Sequence, residues 1–245
     1  MKGLTRVFEE SDSVNRIPRR PDQSLRDFPI YTIPEAAADL AMPVRTLRYW
    51  ATDRPLWRVA GAHLDPPLLS FRDVAQLYYV EIVRKHFNLT VGVTREVLKN
   101  AQLESKAQYP LLRPNIRIFL KHVLMDKPAR GSQPRRLIDL TRGRQLALNE
   151  VIDHFSTRIR LDLEGEPLEL FPWRYWTPRD KASRPVSLDP DIMSGQLVIT
   201  NTRIPVRTVW ERKRAGESVI RIARDYDLEE DAVTQALRHL VPQAA

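Results

Sequence analysis

The chain has 245 residues, 42% hydrophobic and 29% charged, enough for one large domain or two small ones with real cores. Its 39 Lys and Arg against 31 Asp and Glu give a formal net charge of +8, which favours polyanionic or acidic partners, and almost all of the surplus lies between residues 91 and 184. The lack of cysteine excludes disulfides, thiolate metal sites and cysteine nucleophiles, and no apolar run approaches the ~20 residues of a membrane span or forms a signal peptide, so a soluble cytoplasmic protein is expected.

Residues 1–29, centred on RIPRRPDQ, are polar and proline-bearing and are expected to form a mobile arm, with order starting near Tyr31. Thr32-Ile33-Pro34-Glu35 is a capping box that opens a short helix, EAAADL. Ala41-Met42-Pro43 breaks it, and Pro43 suits the first turn of a second helix, VRTLRYWA, because its missing N–H is not needed there. Two short helices across a tight turn have the shape of a helix-turn-helix. In the second, Leu47 and Trp50 at i and i+3 suit packing, while Arg45, Thr46, Arg48 and Tyr49 can point outward. Arg reads guanine edges or phosphates, and Thr and Tyr hydrogen-bond phosphates, so these four are the candidate DNA-binding residues; the alternative is a solvated helix face.

Paired apolar runs around Gly61 and Pro66-Pro67 suggest a two-stranded wing. Ser70-Phe71-Arg72-Asp73 is a second capping box, opening a long helix that is apolar on most of its circumference and is expected to be buried. Thr94 is placed as the cap of the next helix, REVLKNAQ. Residues 113–144 are strongly basic; they suit a phosphate backbone, or equally the solvated outside of an α/β layer. Leu148, Val151, Ile152 and Phe155 then recur at helical spacing, and RIRLDLEGEPLELF alternates like a hairpin about Glu164-Gly165.

From Pro172 to Pro185 proline and mixed charge mark a linker, whose aromatics Trp173, Tyr175 and Trp176 either anchor it to the preceding layer or stack on a partner. Beyond it an apolar run, Asn201-Thr202 and Pro205 read as strand, tight turn and helix start, since Asn tolerates positive φ. Val206, Val209, Trp210 and Lys213 line one helical face, Gly216 stops that helix and Ser218 caps the next. Val219, Ile222, Ala223 and Tyr226, then Val233, Ala236, Leu237 and Leu240, repeat the pattern, completing a three-helix bundle that ends in a second helix-turn-helix-like pair. The fold class expected is mainly α with small β elements: a winged helix-turn-helix over 30–104, an α/β middle over 105–171, a linker over 172–185 and a three-helix unit over 186–245.

Two resemblances sharpen this reading. YTIPEAAADLAMPVRTLRYW followed by LLSFRDVAQLYYVEIVRKH resembles the winged helix-turn-helix domains of the MerR class. The stretch from Ser187 to Leu240 resembles a small antitoxin domain whose pattern runs Gly, strand, Gly-Thr-Arg-Ile-Pro-Val, helix, Gly-x-Ser and Ile-Ala-x-x-Tyr-x-Leu. Gly195, Thr202, Arg203, Ile204, Pro205, Val206, Gly216, Ser218, Ala223, Tyr226 and Leu228 match it, Asn201 replaces the usual Gly and Leu197 stands where Pro is common. Together they make the chain similar to a long VapB-type antitoxin. That resemblance implies a protein that silences a co-encoded PIN-domain ribonuclease toxin of the VapC type and represses its own operon as a dimer bound to operator DNA. Toxin contact is placed on the basic middle and on Trp173, Arg174, Trp176, Arg179, Lys181 and Arg184, with Arg203 bracing the fold. The alternative is a MerR-like regulator answering a small ligand. No catalytic residue, metal or cofactor is expected, because His63, His86, His122, His154 and His239 lack ligand spacing and no Gly-rich phosphate loop is present.

Overall fold

The computed structural model describes residues 25–86, 89–112, 157–163, 166–173 and 183–240. The first described residues already pack: Leu25–Asp27 form a 3₁₀ turn in which Arg26 is buried and meets Asp191 at 3.1 Å. The last residues of the expected arm are therefore part of the folded body, and residues 1–24 lie outside the described residues.

Strand β1 (Tyr31–Thr32) leads directly into α1 (Ile33–Asp39), whose capping box forms as expected: the Glu35 N–H donates to Thr32 Oγ1 at 3.3 Å and the Thr32 N–H to the Glu35 carboxylate at 3.1 Å. Ala36 and Ala37 are buried, so α1 meets the core along its smallest side chains. After the turn Leu40–Pro43, α2 spans only Val44–Arg48, with Pro43 at the cap rather than in the first turn. Beyond Arg48 the backbone widens into a π turn, Tyr49–Asp53, instead of continuing the helix. Leu47 and Trp50 are buried as their spacing requires.

The wing differs from expectation in its pairing. Strand β2 (Leu68–Leu69) is antiparallel to β1, with Tyr31 opposite Leu69, and Gly61 joins β2 through a single bridge. The Ser70 capping box does open a helix, α3 (Phe71–His86), and its Asp73 carboxylate is wholly buried. Asp73 accepts from Trp57 Nε1 at 2.8 Å, the Ala60 N–H at 3.0 Å, and the Ser70 N–H and hydroxyl at 2.9 and 2.8 Å, pinning the wing loop to α3. Helix α4 (Val91–Ser105) starts one turn earlier than the sequence suggested, capped by Thr90. Thr94 is buried inside it, its hydroxyl donating back to the Thr90 carbonyl at 2.9 Å.

The basic stretch 113–144 and the pattern Leu148 to Phe155 lie outside the described residues. The hairpin forms: β3 (Ile159–Leu161) pairs antiparallel with β4 (Pro167–Leu170), with a register shift between Arg160 and Leu161. Leu170 exchanges backbone hydrogen bonds of 2.9 and 2.8 Å with Leu188, which comes directly after β5 (Val186–Ser187), and β5 pairs with β6 (Val198–Ile199). The C-terminal helices are α5 (Val206–Arg214), α6 (Val219–Asp225) and α7 (Glu230–Leu240), burying Val206, Val209, Ile222, Ala223, Val233 and Ala236 against one another.

The turn between β6 and α5 conforms closely to its sequence. Asn201 adopts φ +64°, and Thr202 donates to the Ile199 carbonyl at 2.8 Å while accepting from the Ile204 N–H at 3.0 Å. Pro205 caps α5 from just outside it. Arg203 is exposed, so it does not brace the turn from within. One hydrophobic core runs from Tyr31 to Leu237, spanning both halves of the chain.

Candidate nucleic-acid interface

The α1–α2 pair fixes which side chains α2 can offer. With Leu47 and Trp50 inserted into the core, the opposite face carries Val44, Arg45 and Arg48 into solvent. No hydrogen bond or ion pair joins the Arg45 or Arg48 guanidinium to another described residue. Thr46 is half-buried, and so is Tyr49, which packs against the core rather than pointing outward.

Arg45, Thr46 and Tyr49 line a shallow groove of about 380 Å³ with Trp50, Asp53, Arg84 and Val91. Arg84 comes from the far end of α3, its guanidinium 5.5 Å from the Trp50 ring centroid and its Nε 3.0 Å from Glu81. Sequence reasoning missed Arg84 and Val91, since only tertiary packing brings the ends of α3 and α4 beside α2, and Asp53, which the π turn after α2 sets there. The groove holds two arginines against one exposed carboxylate, Asp53, to which Thr52 Oγ1 donates at 3.1 Å. Arg48 stands beyond the groove on the same helix.

The C-terminal pair, α6 and α7, has a similar shape and the opposite charge at its turn. Glu229, Glu230 and Asp231 are all exposed at the start of α7, where acids complement the helix dipole and repel phosphate. Arg212 binds Glu217 at 2.9 and 2.5 Å, pairs with Asp225 and lies 5.1 Å from the Tyr226 ring, holding both carboxyls below the usual range. Arg212 is thus engaged within the fold, while Arg221 and Arg224 of α6 are exposed.

Of the second set of sequence candidates, Arg174, Trp176, Arg179 and Lys181 lie outside the described residues. Trp173 is half-buried, its backbone N–H donating to Tyr78 Oη at 3.3 Å and its ring stacked on His239 at 6.0 Å and 15°. Arg184 is exposed, with its guanidinium 4.6 Å from the Phe171 ring centroid. Among the described residues no group of three or more His, Asp or Glu side chains is placed to hold a metal ion, and no helix is long and apolar enough to cross a membrane.

This architecture defines a mainly helical protein with small antiparallel strand pairs, in which two short helix pairs share one core. Residues 186–239 match a family described as a protein of unknown function, DUF433. The crystal structure of Rv2018 from Mycobacterium tuberculosis is similar to the whole arrangement, with a TM-score of 0.62 over 86% of this chain and 98% of that one at 21% sequence identity, a likeness of fold. No curated protein matches the chain.

Proposed function

We propose that the protein is a DNA-binding antitoxin: it reads operator DNA with α2 and neutralises a co-encoded PIN-domain ribonuclease. The observation that carries the DNA half is the pair of exposed, internally unpartnered guanidiniums of Arg45 and Arg48 on a short helix whose other face is locked in the core. Rigid placement matters because base readout needs the donor fork at a fixed angle to the groove. The acidic turn of α7 makes the C-terminal pair the poorer partner for phosphate, which favours the N-terminal pair. The antitoxin half rests on the match of residues 195–228 to the VapB-type pattern, which the Asn201 turn and the Ser218 cap accommodate without distortion. Arg184 is the described residue best placed for the toxin, because it is exposed and held by a ring contact rather than by a carboxylate.

Gel shifts on the promoter of its own operon test the first half. Arg45→Ala with Arg48→Ala is expected to weaken specific binding by about 1 to 3 kcal/mol for each lost base contact, while the Tm is retained. Unchanged shifts at matched salt would remove α2 from the interface. Coexpression of the full chain with the adjacent ribonuclease tests the second half: growth rescue and copurification are expected, and failure of both sinks the antitoxin reading while leaving the DNA result standing.

A further inference from the structure

A second groove, of about 430 Å³, opens on the C-terminal unit, far in sequence from α2. Trp210 of α5, Val219 at the start of α6 and Leu237 of α7 form its floor. Lys213, Arg214 and Arg238 stand around it with Thr234, and no acidic side chain lines it among the described residues. Among the described residues no carboxylate pairs with Lys213, Arg214 or Arg238. Arg214 lies over the Trp210 ring at 4.7 Å, and Lys213 Nζ reaches a backbone carbonyl, that of Glu217, at 3.4 Å. The neighbouring acids are engaged elsewhere, Glu211 with Arg207 at 3.0 Å and Glu217 and Asp225 with Arg212.

An apolar floor with a purely cationic rim asks for an occupant of the complementary pattern. We propose that this groove docks an acidic amphipathic segment of a protein partner, with one or two large apolar side chains seated on Trp210, Val219 and Leu237 and flanking Glu or Asp side chains paired with Lys213, Arg214 and Arg238. A nucleic acid fits less well. A phosphate backbone would meet Lys213, Arg214 and Arg238 but would leave the apolar floor without a matching apolar group. The inference stands apart from the antitoxin reading, since it fixes the chemistry of the bound segment and not the activity of its owner.

The test uses the full-length protein. A phage-displayed library of random peptides about twelve residues long is panned against it, and the enriched peptides are synthesised with a fluorescent label for anisotropy. Peptides with Leu, Phe or Trp flanked by Glu or Asp are expected. Their affinity should fall as salt rises, and by about tenfold in Lys213→Glu with Arg238→Glu, two exposed positions whose reversal is expected to leave the circular dichroism unchanged. Arg45→Ala should have no effect, and exchanging the peptide's acids for Lys should abolish binding. The proposal is overturned by an absence of enrichment, by enrichment of basic or uncharged motifs, or by binding indifferent to both salt and the reversals. It is equally overturned if a single-stranded oligonucleotide binds with the same sensitivity, or if the reversals abolish self-association seen in sedimentation.

Discussion

Two aspartates show how the same residue type takes opposite roles through its surroundings. Asp73 is buried among four donors from Trp57, Ala60 and Ser70, and the sequence disclosed only the Ser70 part of that arrangement. Asp73→Ala leaves those donors without an acceptor and is expected to cost about 3 kcal/mol in urea unfolding, with loss of the wing's packing on α3. Asp39, at the end of α1, is pushed up to about 7 by burial and then by the nearby Glu35 carboxylate. A carboxyl raised in the folded state binds more protons than its unfolded counterpart between about 3.8 and 7, so its stabilising effect is present at low pH and is lost as pH rises through that window. Asp39→Asn is expected to flatten the stability profile there and to raise the Tm more at pH 8 than at pH 5; an unchanged difference between the two pH values would refute the assignment.

At the scale of elements, three helices end in the same way with three different residues. In each, the residue after the cap turns left-handed and the last carbonyls are met by the next two N–H groups: Gly216 at φ +94° after α5, Ala41 at φ +53° after α1 and Asp227 at φ +54° after α6. The bonds are Glu217 to Arg212, Met42 to Ala37 and Leu228 to Ala223, at 3.2, 2.8 and 2.9 Å. Only the glycine signals this ending in sequence, because it alone takes positive φ without steric cost. Ala41 and Asp227 are held in that conformation by the apolar residue next in the chain, because Met42 and Leu228 reach the core only if the backbone reverses. Ala41→Gly is therefore expected to stabilise the protein by about 0.5 to 1 kcal/mol, read as a shift in urea midpoint at constant m. A loss of stability would show that the turn is not strained.

At the scale of the whole molecule, the N-terminal and C-terminal parts of the described chain are in direct contact. His239 Nε2 lies 2.7 Å from the Asp39 carbonyl across 200 residues, Trp173 packs between Tyr78 and His239, and Arg72 joins Asp27 and Glu166. Gly195, at φ +80°, lies so near Tyr31 that an added Cβ would collide with the Tyr31 hydroxyl. Gly195→Ala is expected to cost about 2 kcal/mol or more from strain and overpacking together. Because the core is continuous, circular dichroism and Trp fluorescence should still report one coincident transition. Separate transitions for the two parts would contradict a shared core.

Local signals determined much of this protein from sequence alone. The Thr32 and Ser70 boxes, the Ser218 cap, the left-handed Asn201, the hairpin that begins at Ile159 and the three C-terminal helices depend on contacts within a few residues, and those contacts form. Arg45 and Arg48 were legible as outward residues because Leu47 and Trp50 fix the opposite face. Decisions that depend on distant chain belong to the tertiary structure. Strand β2 chooses β1 as its partner, and Arg84 joins the groove beside Arg45. Local propensity leaves each of these nearly balanced, and the choice falls to the arrangement that buries Tyr31, Leu69 and Trp50 in one core.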